Sequence, residues 1–353
     1  MAGDKTKGRQ IMSALPQERL LASYWIPAVG IGNPLQWVTV PLTDIANKRL
    51  PNGAPQTNVV FLMNATFTGT PGNFKPPYIS IPDGILQQMT LQPGQTQTNV
   101  QYLQSRGIKV LLSILGYNTN RQPGMGWDGV PAGENANFAR WIKKEVIDKY
   151  GLDGIDIDNE FSYLPADPQA FMNTVRTLRA SLPGSLLSKA LWEDDDYFRT
   201  PVAPGVPNAG KYLARMLDFG CTMGYGYGAE AQKQMVQSYH DLNVNGTPVG
   251  MNWEQLCIGV QAGPPEMGWM TNIQEVYQLA KWVVQPQSPT KPIPPILGMM
   301  LFTFSQDIQQ WTHWPQNSPG FKYPNPMDHV WQGVIIRTMH GLQEDAVVSA
   351  AIP

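Results

Sequence analysis

Short apolar runs recur along the chain, and several of them are followed by segments with helical periodicity. Eight runs have the length of a buried strand: Leu20–Gly30, Asn58–Gly69, Lys109–Gly116, Leu152–Glu160, Leu186–Glu193, Leu217–Tyr225, Leu256–Gly263 and Gly298–Phe304. Nearly continuous apolar runs are typical of strands that helices cover on both faces. The pattern therefore predicts an α/β fold with a parallel sheet.

Several segments between the runs place apolar residues on one helical face. One such face consists of Phe171, Val175, Leu178 and Leu182. Asp167 and Pro168 suit the N-cap and the first position of that helix. Further helices are predicted over residues 138–146, 272–284 and 327–342.

Eight strands that alternate with helices predict a single-domain (β/α)8 TIM barrel over residues 20–345, with tails at residues 1–19 and 346–353. A doubly wound open sheet is the main alternative. The count of eight favours the barrel, and no glycine-rich dinucleotide turn follows the first run.

Composition excludes several classes of partner. The formal charge is −2 and charged residues make up 15% of the chain, so nothing attracts nucleic acid or an anionic membrane electrostatically. No apolar run is long enough to cross a bilayer. We therefore expect no nucleic acid and no membrane as partner. We also expect the protein to be a monomer.

The start of the chain and its few cysteines bear on location and cofactors. The first residues carry charges without the apolar core of a secretory signal. A cytosolic protein, a removed leader and a signal-independent export route all fit this start. Cys221 and Cys257 are the only cysteines, which argues against a disulfide framework and a cysteine zinc site. We expect no cofactor and no metal.

The fourth run carries three acids at alternating positions. Asp156, Asp158 and Glu160 share one face of the strand, while Ile155 and Ile157 point to the other. Carboxyls crowded inside a barrel repel one another and lose hydration, which raises the pKa of the last of them. Chemistry in such barrels takes place at the carboxyl ends of the strands. An exposed acidic turn or a hard-cation site is the alternative interpretation.

This segment resembles the Asp-x-x-Asp-x-Asp-x-Glu signature of the family-18 glycoside hydrolases, and all four acids match, from Asp153 to Glu160. The resemblance implies that Glu160 protonates the glycosidic oxygen and later activates water. It implies that Asp158 holds the substrate acetamide, that Asp156 shares a proton with Asp158, and that Asp153 is structural. In this family the acetamide oxygen of the substrate is the nucleophile.

Two further motifs resemble the family. Ser113-Ile-Leu-Gly116 is similar to the third-strand motif of Endo H-like endo-β-N-acetylglucosaminidases. Met223-Gly-Tyr225 resembles the Met-x-Tyr element, which implies that the Tyr225 hydroxyl meets the acetamide carbonyl. Chitinases usually place Asp after this tyrosine, whereas this chain has Gly226.

Other residues near the strand ends are candidate sugar contacts, and each has ordinary packing as its alternative. They are Asn118, Trp127, Trp192, Met223, Tyr227, Gln261, Phe304 and Trp311.

The resemblance implies retaining, substrate-assisted hydrolysis of β-1,4-linked N-acetylglucosamine. The Endo H-like motifs favour the core of N-glycans as substrate and hence an endo-β-N-acetylglucosaminidase. A chitinase that acts on chitin or chitooligosaccharides is the first alternative. A non-catalytic, lectin-like barrel is the second, and the intact Glu160 argues against it.

Overall fold

The structure is a computed structural model, and it describes residues 19–31, 36–69, 73–116, 126–160, 167–192, 195–206, 208–263, 270–286, 294–307 and 329–342. The strands are β1 Leu20–Trp25, β2 Ala28–Ile31, β3 Gln36–Thr39, β4 Val59–Phe67, β5 Ile79–Ser80, β6 Lys109–Leu115, β7 Gly154–Asp158, β8 Leu186–Leu191, β9 Phe219–Thr222, β10 Asn243–Val244, β11 Thr247–Pro248, β12 Leu256–Gln261 and β13 Gly298–Phe302. The helices are α1 Thr43–Asn47, α2 Asp83–Met89, α3 Asn99–Ser105, α4 Asn135–Trp141, α5 Pro168–Ser181, α6 Asp195–Arg199, α7 Ala229–Asp241, α8 Ile273–Val284, α9 Phe304–Asp307 and α10 Val330–His340.

Eight parallel strands close into a barrel in the spatial order β1, β13, β12, β9, β8, β7, β6, β4. Strand β1 closes the ring because it pairs with β4 on one side, with Ala22 opposite Val59, and with β13 on the other, with Leu20 opposite Gly298. These strands lie within the eight predicted runs, so the predicted TIM barrel is confirmed and the open sheet is excluded. The predicted tails lie almost wholly outside the described residues, and that division of the chain stays a prediction.

Local sequence explains where the main helices begin. The Asp167 side chain accepts a hydrogen bond from the amide of Ala170 at 2.9 Å, and Pro168 is the first residue of α5. Asn272 and Glu275 form a capping box at the start of α8. Such caps satisfy amides that have no partner within the helix. Leu182 is the C-cap of α5. Helix α4 continues as a π-helical segment, Ile142–Asp148.

Side chains of the barrel strands alternate between two apolar cores. Residues such as Leu20, Phe61 and Phe219 fill the barrel interior. Ile155 and Ile157 belong to the larger core between barrel and helices, as predicted for that face of β7. Strand β7 therefore directs its acids inward.

The structure also describes the two cysteines and bears on the question of a membrane-spanning helix. Cys221 and Cys257 lie opposite each other on β9 and β12, and both are buried free thiols. Within the described ranges, no helix combines the length and hydropathy that a membrane crossing requires.

Candidate active site

Strand β7 carries an acid cluster, Asp156, Asp158 and Glu160, to the carboxyl end of the barrel. Asp156 and Asp158 are 1% and 2% exposed, and Glu160 is half-buried two residues beyond the strand. Buried carboxyls require compensating hydrogen bonds or charges. The cluster therefore depends on the strands around it.

Asp156 accepts hydrogen bonds from three hydroxyls on three different strands. Tyr24 Oη on β1 is 2.7 Å away, Ser113 Oγ on β6 is 2.9 Å away and Ser188 Oγ on β8 is 2.7 Å away. Burial raises the pKa of Asp156, and the three hydrogen bonds act against that increase. Because all three hydroxyls donate, the arrangement suits an ionised Asp156 fixed in one orientation.

Asp158 and Glu160 are hydrogen-bonded to each other. Burial raises the pKa of Asp158 well above its usual range, and the charges of Glu160 and Asp156 act in the same direction. Burial also raises the pKa of Glu160, while the bond from Asp158 opposes that increase. The pair therefore shares a proton, with a protonated Asp158 donating to Glu160. Asp158 Oδ1 is buried and has no hydrogen-bond partner.

Tyr225 follows β9 and lies beside the acid pair. Its ring stacks on Phe302 with centroids 5.7 Å apart, and its hydroxyl is 3.8 Å from the sulfur of Met300. Burial raises the pKa of Tyr225 far above its usual range, and the charges of Glu160 and Asp158 add to the effect. The phenol is therefore neutral and available as a hydrogen-bond donor.

Comparison with known proteins was made on sequence and on structure. No protein-family model matches the chain. An endo-β-N-acetylglucosaminidase from Flavobacterium sp. (strain SK1022) is 30% identical over 194 residues, which cover 52% of this chain and 55% of that protein. The chain thus spans little more than half the length of that relative. The chain is similar in sequence to endo-β-N-acetylglucosaminidases.

Two solved structures share the fold of this chain. A GH18 chitinase from Pseudoalteromonas aurantia aligns with a TM-score of 0.56 at 19% identity and covers 90% of this chain and 99% of its own. EndoBT-3987 from Bacteroides thetaiotamicron, solved with a Man5GlcNAc product, aligns with a TM-score of 0.53 at 16% identity and covers 84% of this chain and 60% of its own. At these identities the likeness concerns the fold.

Two other residues of the predicted motifs, Asp153 and Gly116, make contacts that hold neighbouring strands together. Asp153 precedes β7 at the amino end of the barrel, where it accepts from the ammonium of Lys109 and the amide of Val110, each at 2.9 Å. A Cβ atom on Gly116 would lie 2.7 Å from the side-chain oxygen of Asn159 and 2.9 Å from the Trp127 ring. Only glycine allows this close packing at the end of β6.

Two predicted sugar contacts are corrected by the structure. Trp127 is 0% exposed, and its indole N–H donates to the carbonyl of Ile114 at 2.9 Å. Phe304 is also 0% exposed and contacts His329, with ring centroids 4.5 Å apart. Both side chains belong to the core between barrel and helices, so neither reaches a ligand in the mouth.

Four other predicted contacts lie at the carboxyl ends of the strands. Gln261 is the buried last residue of β12, and Trp192 follows β8 with part of its side chain exposed. Met223 follows β9 and is partly buried, whereas Tyr227 is 49% exposed. Their contacts with sugar stay predictions. Asn118 and Trp311 lie outside the described residues.

Three residues that surround the acids were not predicted from the sequence. They are Tyr24, Ser188 and Lys189, all within predicted strands. The sequence does place a hydroxyl or an ammonium at these buried strand positions. Such groups are seldom buried without a partner, so they could have indicated contacts with the acids. Within the described part of the chain, no group of three or more His, Cys, Asp or Glu is arranged to hold a metal ion.

Proposed function

We propose that the protein hydrolyses β-1,4-linked N-acetylglucosamine as an endo-β-N-acetylglucosaminidase. The observation that carries the proposal is the acid cluster, in which the buried Asp156 and Asp158 and the half-buried Glu160 stand together at the carboxyl end of β7. The Flavobacterium relative, itself an endo-β-N-acetylglucosaminidase, supports the same activity.

The reaction needs an acid for the leaving oxygen, and Glu160 supplies it. On substrate binding the proton shared with Asp158 passes to Glu160, and Glu160 donates it to the glycosidic oxygen as the bond to the anomeric carbon breaks. The acetamide oxygen of the substrate attacks that carbon, Asp158 accepts from the acetamide N–H, and Tyr225 donates to the acetamide carbonyl. Glu160 then removes a proton from the incoming water as the water oxygen attacks the anomeric carbon and the bond to the acetamide oxygen breaks, which completes hydrolysis with retention.

The spacing of the carboxyls favours this substrate-assisted route. In two-carboxylate mechanisms the groups stand about 5–5.5 Å apart for retention or about 6.5–9.5 Å apart for inversion. Asp158 and Glu160 are hydrogen-bonded, so no sugar ring or water fits between them. Asp158 therefore acts on the acetamide and not as a nucleophile on the anomeric carbon.

Asp156 keeps the negative charge of the cluster in place. Its three hydroxyl donors fix the carboxylate beneath Asp158. When Asp158 leaves the shared proton on Glu160 and turns towards the acetamide, the charge of Asp156 makes the Asp158 carboxylate a stronger acceptor for the acetamide N–H. The Oδ1 atom of Asp158 is buried and has no hydrogen-bond partner, so no other donor competes with the acetamide N–H for it.

N-glycans and chitin are the two candidate substrates. Gly226, which stands where chitinases usually carry Asp, favours the N-glycan core. EndoBT-3987, solved with a Man5GlcNAc product, supports this substrate class, whereas the P. aurantia structure supports the chitinase alternative.

A substrate comparison tests the proposal. The protein and its Glu160→Gln variant are incubated with a high-mannose glycoprotein and with chitooligosaccharides, and the products are identified by mass spectrometry. We expect a released glycan with one N-acetylglucosamine left on asparagine, and no release by the variant. Cleavage of chitooligosaccharides alone identifies a chitinase. Sugar binding without cleavage of either substrate contradicts the enzyme and identifies a lectin-like barrel.

A further inference from the structure

A lysine lies within strand β8, directly behind the acid cluster. Lys189 is 1% exposed. Its neighbour Ser188 points into the barrel, where it donates to Asp156, so strand alternation directs Lys189 to the helix layer. An ammonium in that layer is costly unless hydrogen bonds and opposite charges compensate it.

The contacts of Lys189 locate its charge at the end of β7. Lys189 is paired with Ile157, so Ala190 is level with Asp158, the last residue of β7. The Lys189 Nζ atom donates to the carbonyl of Ala190 at 2.7 Å. It also lies 5.9 Å from the centre of the Phe171 ring. The ammonium therefore turns towards the strand end where the acid pair stands.

The acid cluster is the concentration of negative charge on which the Lys189 ammonium acts. The lysine lowers the pKa of Asp156, Asp158 and Glu160, against the stronger effect of their burial. On the helix side, Tyr197 of α6 packs on Phe171 with ring centroids 4.3 Å apart. Tyr197 is hydrogen-bonded to Asp128, which lies before α4.

We propose that Lys189 is a positioning residue of the acid cluster, whose buried ammonium is the counter-charge that keeps Asp158 and Glu160 to one shared proton. This inference rests on the proposed function, because it assigns the same cluster a resident cation. Without the cation, three adjacent buried carboxyls take up a second proton more readily. Asp158 and Glu160 are then both protonated at a pH where the native pair is active.

Three substitutions separate charge from packing. Lys189→Met removes the charge and retains most of the buried chain, whereas Lys189→Gln retains a donor for the Ala190 carbonyl. Lys189→Arg retains the charge. Lys109→Met is the matched control, because Lys109 is a strand lysine at the opposite end of the barrel, beside Asp153. If the methionine variant does not fold, the glutamine variant still carries the test.

The measurements are the pH dependence of kcat and a carboxyl NMR titration of Glu160, assigned by its loss in Glu160→Gln. For both neutral variants we expect the pH–rate profile and the Glu160 midpoint to move to higher pH, with KM unchanged. Lys189→Arg and Lys109→Met should keep the native profile. A folded neutral variant with the native profile and the native midpoint overturns the role of Lys189. If the native protein cleaves no substrate, the proposed function fails, and the NMR titration still decides the role of Lys189.

Discussion

At the scale of single residues, the site depends on hydroxyl groups that contact Asp156. Tyr24 is the largest of these donors, and its ring also packs on Phe61 and Phe302 inside the barrel. Burial is the main cause that raises the pKa of this tyrosine, and the charges of Asp156 and Asp158 raise it further. The phenol therefore stays neutral and donates throughout the reaction.

Tyr24→Phe removes this donor without changing the ring. A hydrogen bond to a charged group contributes about 1.5–3 kcal/mol, so we expect kcat to fall roughly 10- to 100-fold. The pKa of Asp156 should rise, because the Tyr24 bond lowers it. Steady-state kinetics check the change. Tyr78→Phe is the control, since the Tyr78 hydroxyl donates to Glu134 in the helix layer. Equal rates for the Tyr24 variant and the native protein would contradict the role of Asp156.

Strand alternation explains which residues of the site were predictable. Asp156, Asp158 and Glu160 share a face by their spacing alone, and the structure places that face inward. The faces of Trp127 and Phe304 were not predictable, because neither lies within a strand whose alternation fixes its direction. Their burial depends on neighbours distant in sequence, such as Phe67 against Trp127.

At the scale of elements, the joint between β13 and α10 contains a buried acid with no role in the proposed reaction. The carboxylate of Asp307 accepts from the amides of Trp331 and Gln332 at 3.0 and 2.8 Å, at the start of α10. Burial nevertheless raises the pKa of Asp307 to about 7. The carboxyl end of β13 is therefore connected to the final helix through one titratable group.

The pH dependence of stability follows from this shift. Because the folded pKa of Asp307 lies above its unfolded value of 3.8, its contribution is present below pH 3.8 and is lost as pH rises towards about 7. Asp307→Asn removes that dependence. We expect the free energy of unfolding of the variant, relative to the native protein, to increase with pH between 4 and 7 by at most about 1.4 kcal/mol per pH unit.

Denaturant unfolding of both proteins at several pH values measures this difference. His329, whose pKa burial lowers to about 3, contributes a slope of opposite sign, but it is present in both proteins and cancels. A difference that stays constant from pH 4 to pH 7 would show that Asp307 folds with an ordinary pKa.

Element boundaries were predictable where local sequence decides them. The N-cap at Asp167 and the apolar face of α5 are local features, and both are confirmed. The run Leu20–Gly30 is different, because it contains β1 and the start of a hairpin formed by β2 and β3. The chain reverses there through pairing with Gln36–Thr39, which the apolar pattern of the run alone did not indicate.

At the scale of the whole molecule, closure of the barrel requires close contact between the first and last strands. Leu20 of β1 pairs with Gly298 of β13. A Cβ atom on Gly298 would lie 1.9 Å from the carbonyl oxygen of Leu20. The count of eight runs predicted a barrel, but no local pattern identifies this contact, since it joins residues at opposite ends of the chain.

Gly298→Ala should therefore destabilise the fold. Forcing a methyl group into a packed interior costs about 1–3 kcal/mol or more, and here the obstacle is backbone. Gly333→Ala is the control, because Gly333 lies within α10 with open space around its Cα atom. Alanine should stabilise that helix by about 0.5–1 kcal/mol. Denaturant unfolding compares the two, and equal stability of Gly298→Ala and the native protein would contradict the closure described.

The central claim is that Glu160 is the acid of a hydrolase acting on N-acetylglucosamine linkages. The most direct test is the initial rate of cleavage of a high-mannose glycoprotein by the native protein, Glu160→Gln and Glu134→Gln. Glu134 is the matched control, a glutamate that accepts from Tyr78 in the helix layer and has no contact with the acid cluster among its hydrogen bonds. We expect Glu134→Gln to match the native rate and Glu160→Gln to lose at least about 100-fold, the lower end of the usual contribution of a general acid. Native-like cleavage by Glu160→Gln would contradict the account.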